Sequence, residues 1–259
     1  MSSYLWGLVA ISAWVLTWIV SLVKRDVGIV DSLWAPMFVI AGLMYAMIQP
    51  ETAPRTGLVL SLVALWAMRL SGYILWRNWG KGEDARYHEI RTNNEPHFAF
   101  KSLYIVFGLQ GVIAWLVSLP LLAAIVSPAA INLLDYLGVA VWIVGMIFEA
   151  GADWQLTGFS ADPTNWGKVL DTGLWRYTRH PNYFGNVCIW VGLFLIGLAA
   201  DGWWSILSPI LMIFLLLKVS GVALLEKDID ERRPAYRDYI TRTNAFFPGL
   251  PKTAHTSKP

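Results

Sequence analysis

The sequence predicts an all-α integral membrane protein with seven transmembrane helices, the N-terminus outside and the C-terminus cytosolic. Three observations carry this. Hydrophobic residues make up 56% of the 259 positions and charged residues 15%, with a mean hydropathy of +0.49; a soluble domain holds about 25% charge. Apolar runs of roughly twenty residues, the length that crosses hydrocarbon, recur along the chain. The cations concentrate on alternate connections between those runs.

The first run, 4–23, starts at once and lacks a basic leader, so it reads as a retained span and not a cleaved signal. Further spans follow at 27–48, 56–76, 103–126, 130–152, 183–200 and 203–225. Three polar segments are long: 77–102, 153–182 and the tail 226–259. There is no internal repeat and no low-complexity tract, so residues 1–259 read as one bundle. Lys24 and Arg25, five cations in 77–102, three in 153–182 and seven in the tail make seventeen of the 20 Lys and Arg. The opposite connections hold only Arg55, while Arg69 and Lys218 fall within spans. Positive residues mark the cytosolic side, so the long segments belong there as a cap.

The net charge of +2 adds nothing, and no pattern points to nucleic acid. The single cysteine, Cys188, lies in an apolar run as core filler. No spacing suits a metal. Several of the fifteen tryptophans stand near span ends, where their rings anchor at headgroups.

The chemistry gathers in three cytosolic stretches. LWRYTRHPNYFGN (174–186) leads into the sixth span. Pro181 suits a first helical position, and the amides behind it favour an anion. Arg176 and Arg179 beside that end suit phosphate, because a guanidinium binds it in a fork. In the tail, EKDIDERRPAYRDYITRTNAFFPGLP (226–251) mixes arginines with Tyr236, Tyr239 and Asn244. Rings among cations suit a nucleobase and its phosphates. A lipid-surface helix would suit the arginines, yet Asp228, Asp230, Glu231 and Asp238 oppose it. WRNWGKGEDARYHEIR (76–91) carries a glycine pair that permits tight backbone, but it is neither a Walker loop nor a dinucleotide fingerprint.

GLWRYTRHPNYFGN together with YRDYITRTNAFFP resembles the steroid 5-alpha-reductase family of integral membrane reductases, and GKGEDARY resembles its bacterial branch. The resemblance runs from about Asp26 to Pro248 and is strongest over 168–190. More distantly, isoprenylcysteine and phospholipid methyltransferases share an Arg-His-Pro-x-Tyr stretch. The resemblance implies a seven-helix reductase of a bacterial inner membrane, its NADPH held in a cytosol-facing cavity under the cap. Matching the family's cofactor pattern are Asp153, Lys168, Trp175, Arg176, Tyr177, Arg179, His180, Asn182 and Tyr183, with Arg232, Arg233, Tyr236, Tyr239 and Asn244 from the tail. Asn186 departs from a position that is often glutamate.

Ionisable groups at membrane depth are functional candidates. Glu149 and Asp153, four apart, share a helix face; Arg69 could pair with Glu149. Asp31 matches an acidic residue that the family uses beside the substrate ketone, and Pro36 suggests a local break. Enone reduction places negative charge on a carbonyl oxygen, which an aimed donor stabilises. Asp31, kept protonated by burial, is the expected donor, with Tyr87 or Tyr73 as helper. The family's helper tyrosine falls at Trp66, which then lines the pocket.

The expected activity is therefore NADPH-dependent reduction of the C4–C5 double bond of a 3-oxo-4-ene steroid or similar lipid enone, entering from the membrane lipid. No obligate protein partner is evident. The alternative is an S-adenosylmethionine-dependent methyltransferase, which has no use for Lys168, Arg176 and Arg179 as phosphate ligands. A transporter is disfavoured by the lack of repeats.

Overall fold

The computed structural model describes residues 14–49, 51–219, 221–226, 229–232 and 234–252, with backbone alone at 223, 224, 230 and 232. Among them every regular element is helical. In chain order the helices are α1 Trp14–Lys24, α2 Ile29–Ile48, α3 Thr56–Asn78, α4 Ala85–Asn93, α5 Phe98–Val117, α6 Leu119–Val126, α7 Leu133–Ala161, α8 Pro181–Ala199, α9 Trp203–Val219, α10 Val222–Glu226, α11 Ile229–Arg232 and α12 Tyr236–Arg242. Five of them, α2, α3, α5, α7 and α8, are long and apolar enough to cross a membrane. They fall on five of the expected spans. The other two expected spans, 4–23 and 203–225, fall on the shorter apolar helices α1 and α9, and 4–13 lie outside the described residues.

The expected span 103–126 is two helices, broken at Ser118. Pro120 stands in the first turn of α6, where a residue without an N–H can start a helix but not continue one. Pro36 behaves differently. α2 runs through it without the expected break, because one missing backbone bond is tolerated inside an otherwise apolar, packed helix.

The chain divides into two compact units: residues 1–132 with 196–207, and residues 133–195 with 208–259. In the first unit, α2 packs along α3, and the Phe38 ring meets Trp66 at 5.7 Å and Trp34 at 5.2 Å. Arg55, the one cation expected on the outer side, is fully buried there. Its guanidinium donates to the carbonyls of Ala129 (2.6 Å), Ala130 (2.8 Å) and Ala199 (3.0 Å), as burial of a charge demands.

In the second unit, α7 and α8 approach closely and run antiparallel. A Cβ on Gly185 would stand 2.4 Å from the Glu149 amide nitrogen and 2.6 Å from the Gly145 carbonyl oxygen; one on Gly192 would stand 2.6 Å from that of Gly138. Small residues at a seven-residue interval on each helix let the backbones touch, as they do in membrane helix pairs. The tail lies against the 174–186 stretch. The Arg179 amide donates to the Asn244 carbonyl (2.9 Å), Thr178 Oγ1 to that of Phe246 (2.8 Å), and the Gly249 amide to that of Tyr177 (3.0 Å).

Candidate functional site

In the first unit the polar segment 77–102 builds a side-chain chain around Asp31. Gly80 and Gly82 take φ of 75° and 74°, the left-handed region that the glycine pair was expected to use. Asp84 then caps α4 by accepting from the Arg86 amide at 2.9 Å. Glu83 ties α4 to the turn before α2. It accepts from the Val27 amide (2.9 Å) and in a fork from Arg91 (2.9 and 2.7 Å). Burial would raise its carboxyl, but the Arg91 bonds prevail and hold it below the usual range. Gly28 lets the Tyr87 ring come close, since a Cβ there would lie 3.3 Å from it.

The result is a phenol laid onto a carboxylate. Tyr87 Oη donates to Asp31 Oδ1 at 2.5 Å, and Arg86 Nη2 donates to Asp31 Oδ2 at 3.1 Å. Gln110 Nε2 on α5 donates to Tyr87 Oη at 3.2 Å. Burial first, and then the charge of Asp31, pushes the Tyr87 phenol well above its ordinary range, so it keeps its proton. The Asp31 side chain is 25% exposed. Asp31 thus meets Tyr87 on one oxygen and Arg86 on the other. Trp66 is buried against Phe38, seven residues beyond Asp31 on α2, about two turns or roughly 10 Å along the axis. Trp34, Phe38 and Trp66 form an aromatic cluster below Asp31. Tyr73, the other expected helper, lies under Arg69 and Arg77 at 5.6 Å from each.

In the second unit the α7–α8 contact aligns two carboxylates with two amides. Asn186 Nδ2 donates to Glu149 Oε1 at 2.9 Å, and Asn182 Nδ2 to Asp153 Oδ1 at 3.3 Å. Both carboxylates are buried. Asn186 is 7% exposed, and its Oδ1 is a buried acceptor with no hydrogen-bond partner among the described residues. Such an orphan suits a ligand amide N–H.

Several residues expected to bind a cofactor hold contacts within the protein. Arg179 donates to both Glu226 oxygens (2.7 and 2.8 Å) and to the carbonyls of Ile240 (3.1 Å) and Thr243 (2.5 Å). Its fork is thus engaged within the protein. His180 Nε2 lies 2.9 Å from Glu226 Oε1, and the buried ring stacks on Tyr183 at 5.5 Å. Burial opposes ionisation of Glu226, yet the hydrogen bonds of Arg179 and His180 hold its carboxyl down to about 2. Trp175 is buried with its indole on the Ala152 carbonyl at 3.1 Å. Tyr239 is buried too, its hydroxyl bonding the Trp175 carbonyl. Asn244 Nδ2 donates to the Phe247 carbonyl at 3.2 Å. At the α8 start the amides of His180 and Tyr183 bond Thr178 Oγ1 and Asn182 Oδ1, so the expected anion-binding end is partly filled from within.

Lys168, Arg176 and Tyr177 are exposed, and Tyr236 is half-buried with its ring 5.1 Å from Tyr239. Arg233 lies outside the described residues, as does the side chain of Arg232. Gln110 and Arg86 were missed as site residues. The signal for Gln110 was an amide within an apolar span, and for Arg86 its place beside Asp84 in GKGEDARY.

Residues 17–243 match the model of a family described as a protein of unknown function, DUF1295. A curated relative, an uncharacterized protein of Schizosaccharomyces pombe, is 26% identical over 268 residues, covering 90% of this chain and 76% of the relative. No solved structure matches the chain.

Proposed function

The chain belongs to the DUF1295 family, whose function is unknown, and we propose that it is a membrane reductase of lipid enones. The preferred substrate class is a 3-oxo-4-ene steroid or a similar ring ketone, and the reductant is NADPH. The protein spans the inner membrane of a bacterium seven times, N-terminus outside, with its site open to the cytosol; the distribution of Lys and Arg supports that orientation. The observation that carries the reading is the Tyr87 hydroxyl held on Asp31 at the head of the Trp34–Phe38–Trp66 cluster. A proton donor above flat apolar rings suits a ketone on a flat apolar body.

NADPH, when bound, supplies a hydride to the carbon β to the ketone. Tyr87 turns its hydroxyl from Asp31 to the ketone oxygen, where negative charge develops. Asp31 aims that hydroxyl beforehand, and Arg86 holds Asp31. The enolate takes its one proton at the α carbon, from water, and Tyr87 keeps its own. For the cofactor, the exposed Lys168 and Arg176 suit phosphates, Tyr177 suits a ring, and the orphaned Asn186 Oδ1 suits a carboxamide N–H. Asn182 and Asp153 flank that acceptor on the same helix pair.

The test is a reaction in detergent of purified protein, NADPH and progesterone or testosterone, followed by mass analysis. The expected product is two mass units heavier, with NADPH consumed in equal amount. Failure with steroid and non-steroid enones alike would overturn the reading. Transfer of a labelled methyl group from S-adenosylmethionine to lipid would replace it with the methyltransferase alternative.

A further inference from the structure

We infer that Gln110 is a positioning residue that fixes the Tyr87 hydroxyl through its side-chain amide. The stretch LYIVFGLQGVIAWLV, from Leu103 to Val117, contains one amide side chain, in a helix apolar enough to span a membrane. An amide at that depth is costly unless bonded. Its Nε2 meets the Tyr87 oxygen at 3.2 Å.

The helix is shaped to make that contact. Val106 and Phe107 are buried in one cluster with Tyr87, Val27, Val30 and Phe98. Gln110 stands four and three residues on, so it continues the same stripe. Leu103–Gly108, just before it, is a π-helical segment. One extra residue in a turn rotates everything after it by about 100° relative to an unbroken α-helix. Segments of this kind gather at functional sites.

The effect on Tyr87 follows from lone pairs. A phenol oxygen carries one proton and can accept as well. The Gln110 N–H occupies an acceptor position, and the Tyr87 proton goes to Asp31. The oxygen is thereby anchored while its proton remains free to turn. When the proton is shared with a ketone and charge grows on the phenol oxygen, the same N–H stabilises that charge. This kinetic consequence rests on the reductase reading; the anchoring does not.

The experiment uses full-length protein labelled with 13Cζ-tyrosine in detergent, the Tyr87 resonance assigned by its loss in Tyr87→Phe. Gln110→Leu should shift that resonance and lower kcat roughly tenfold or more, with KM for NADPH within about twofold. Gln110→His, whose Nε2–H has a similar reach, should restore most of the rate. If Gln110→Leu fails to fold, Gln110→Glu, alike in shape, carries the same two readouts. An unmoved Tyr87 resonance overturns the inference whether or not any enone is reduced. A moved resonance with unchanged kcat also overturns the positioning role. A moved resonance in a protein that reduces no enone sinks the reductase reading and leaves the anchoring of Tyr87 by Gln110 standing.

Discussion

Tyr87 donates to Asp31 across 2.5 Å, and the two residues are 56 positions apart in the chain. That contact joins the polar segment 77–102 to the first turn of α2, and in the proposed reaction the phenol carries the proton while the carboxylate aims it. Tyr87→Phe should lower enone turnover roughly 100-fold or more, the usual scale for a lost proton donor, with NADPH affinity unchanged. Steady-state kinetics beside equilibrium cofactor binding check this.

Asp31→Asn places an amide between two donors, Tyr87 and Arg86. One face of that amide must then oppose a donor, so the Tyr87 hydroxyl loses its fixed direction. Turnover should drop at least tenfold while cofactor binding persists, a change worth about 1.4 kcal/mol in the barrier. Full activity would show that Asp31 aims nothing.

Arg176 and Arg179 should separate cleanly. Arg179→Ala leaves Glu226 without its fork and the 240–243 carbonyls without a donor, so it should lower the melting temperature and expose the tail to protease. Arg176→Ala should leave melting unchanged and weaken NADPH binding roughly tenfold. Thermal melts and cofactor titrations on both variants give the comparison.

Gly185→Ala forces a Cβ to within 2.4 Å of the Glu149 amide nitrogen. Backbone cannot yield as a flexible side chain would, so α7 and α8 must move apart. The expected loss is about 1–3 kcal/mol, the cost of overpacking a close contact. The Asn182–Asp153 and Asn186–Glu149 bonds should loosen with it. A lower melting temperature with weakened cofactor binding is the expected result, whereas Gly158→Ala, where a Cβ meets nothing, should be neutral.

Acid should loosen the second unit through Glu226. Its carboxyl sits at about 2 in the folded protein against an ordinary 4.5. An acid depressed in this way stabilises the fold above its unfolded value, and that contribution disappears as pH falls from about 4.5 toward 2. The group is partly exposed, so screening leaves on the order of 1–2 kcal/mol. Glu226→Gln should melt lower than wild type at neutral pH, and the difference should shrink as the pH drops through that window.

The sequence by itself determined the class and the placement of the spans. Hydropathy over twenty residues is a local sum, and five long apolar helices appear where it put them. One helix start was legible for the same reason: Pro181 opens α8 through chemistry within a few residues. Even the shared face of Glu149 and Asp153 follows from a four-residue spacing. The tertiary structure alone decided which polar groups are engaged by the protein itself. Arg176 and Arg179 look alike in the sequence, yet one is exposed and the other is closed around Glu226, 47 residues away. Asp31 stood out in the sequence as an ionisable group at membrane depth, but its contacts with Arg86 and Tyr87 came only from the fold. The physical reason is range: helix formation and hydropathy act between near neighbours, whereas the state of a donor depends on partners that only folding brings within 3 Å.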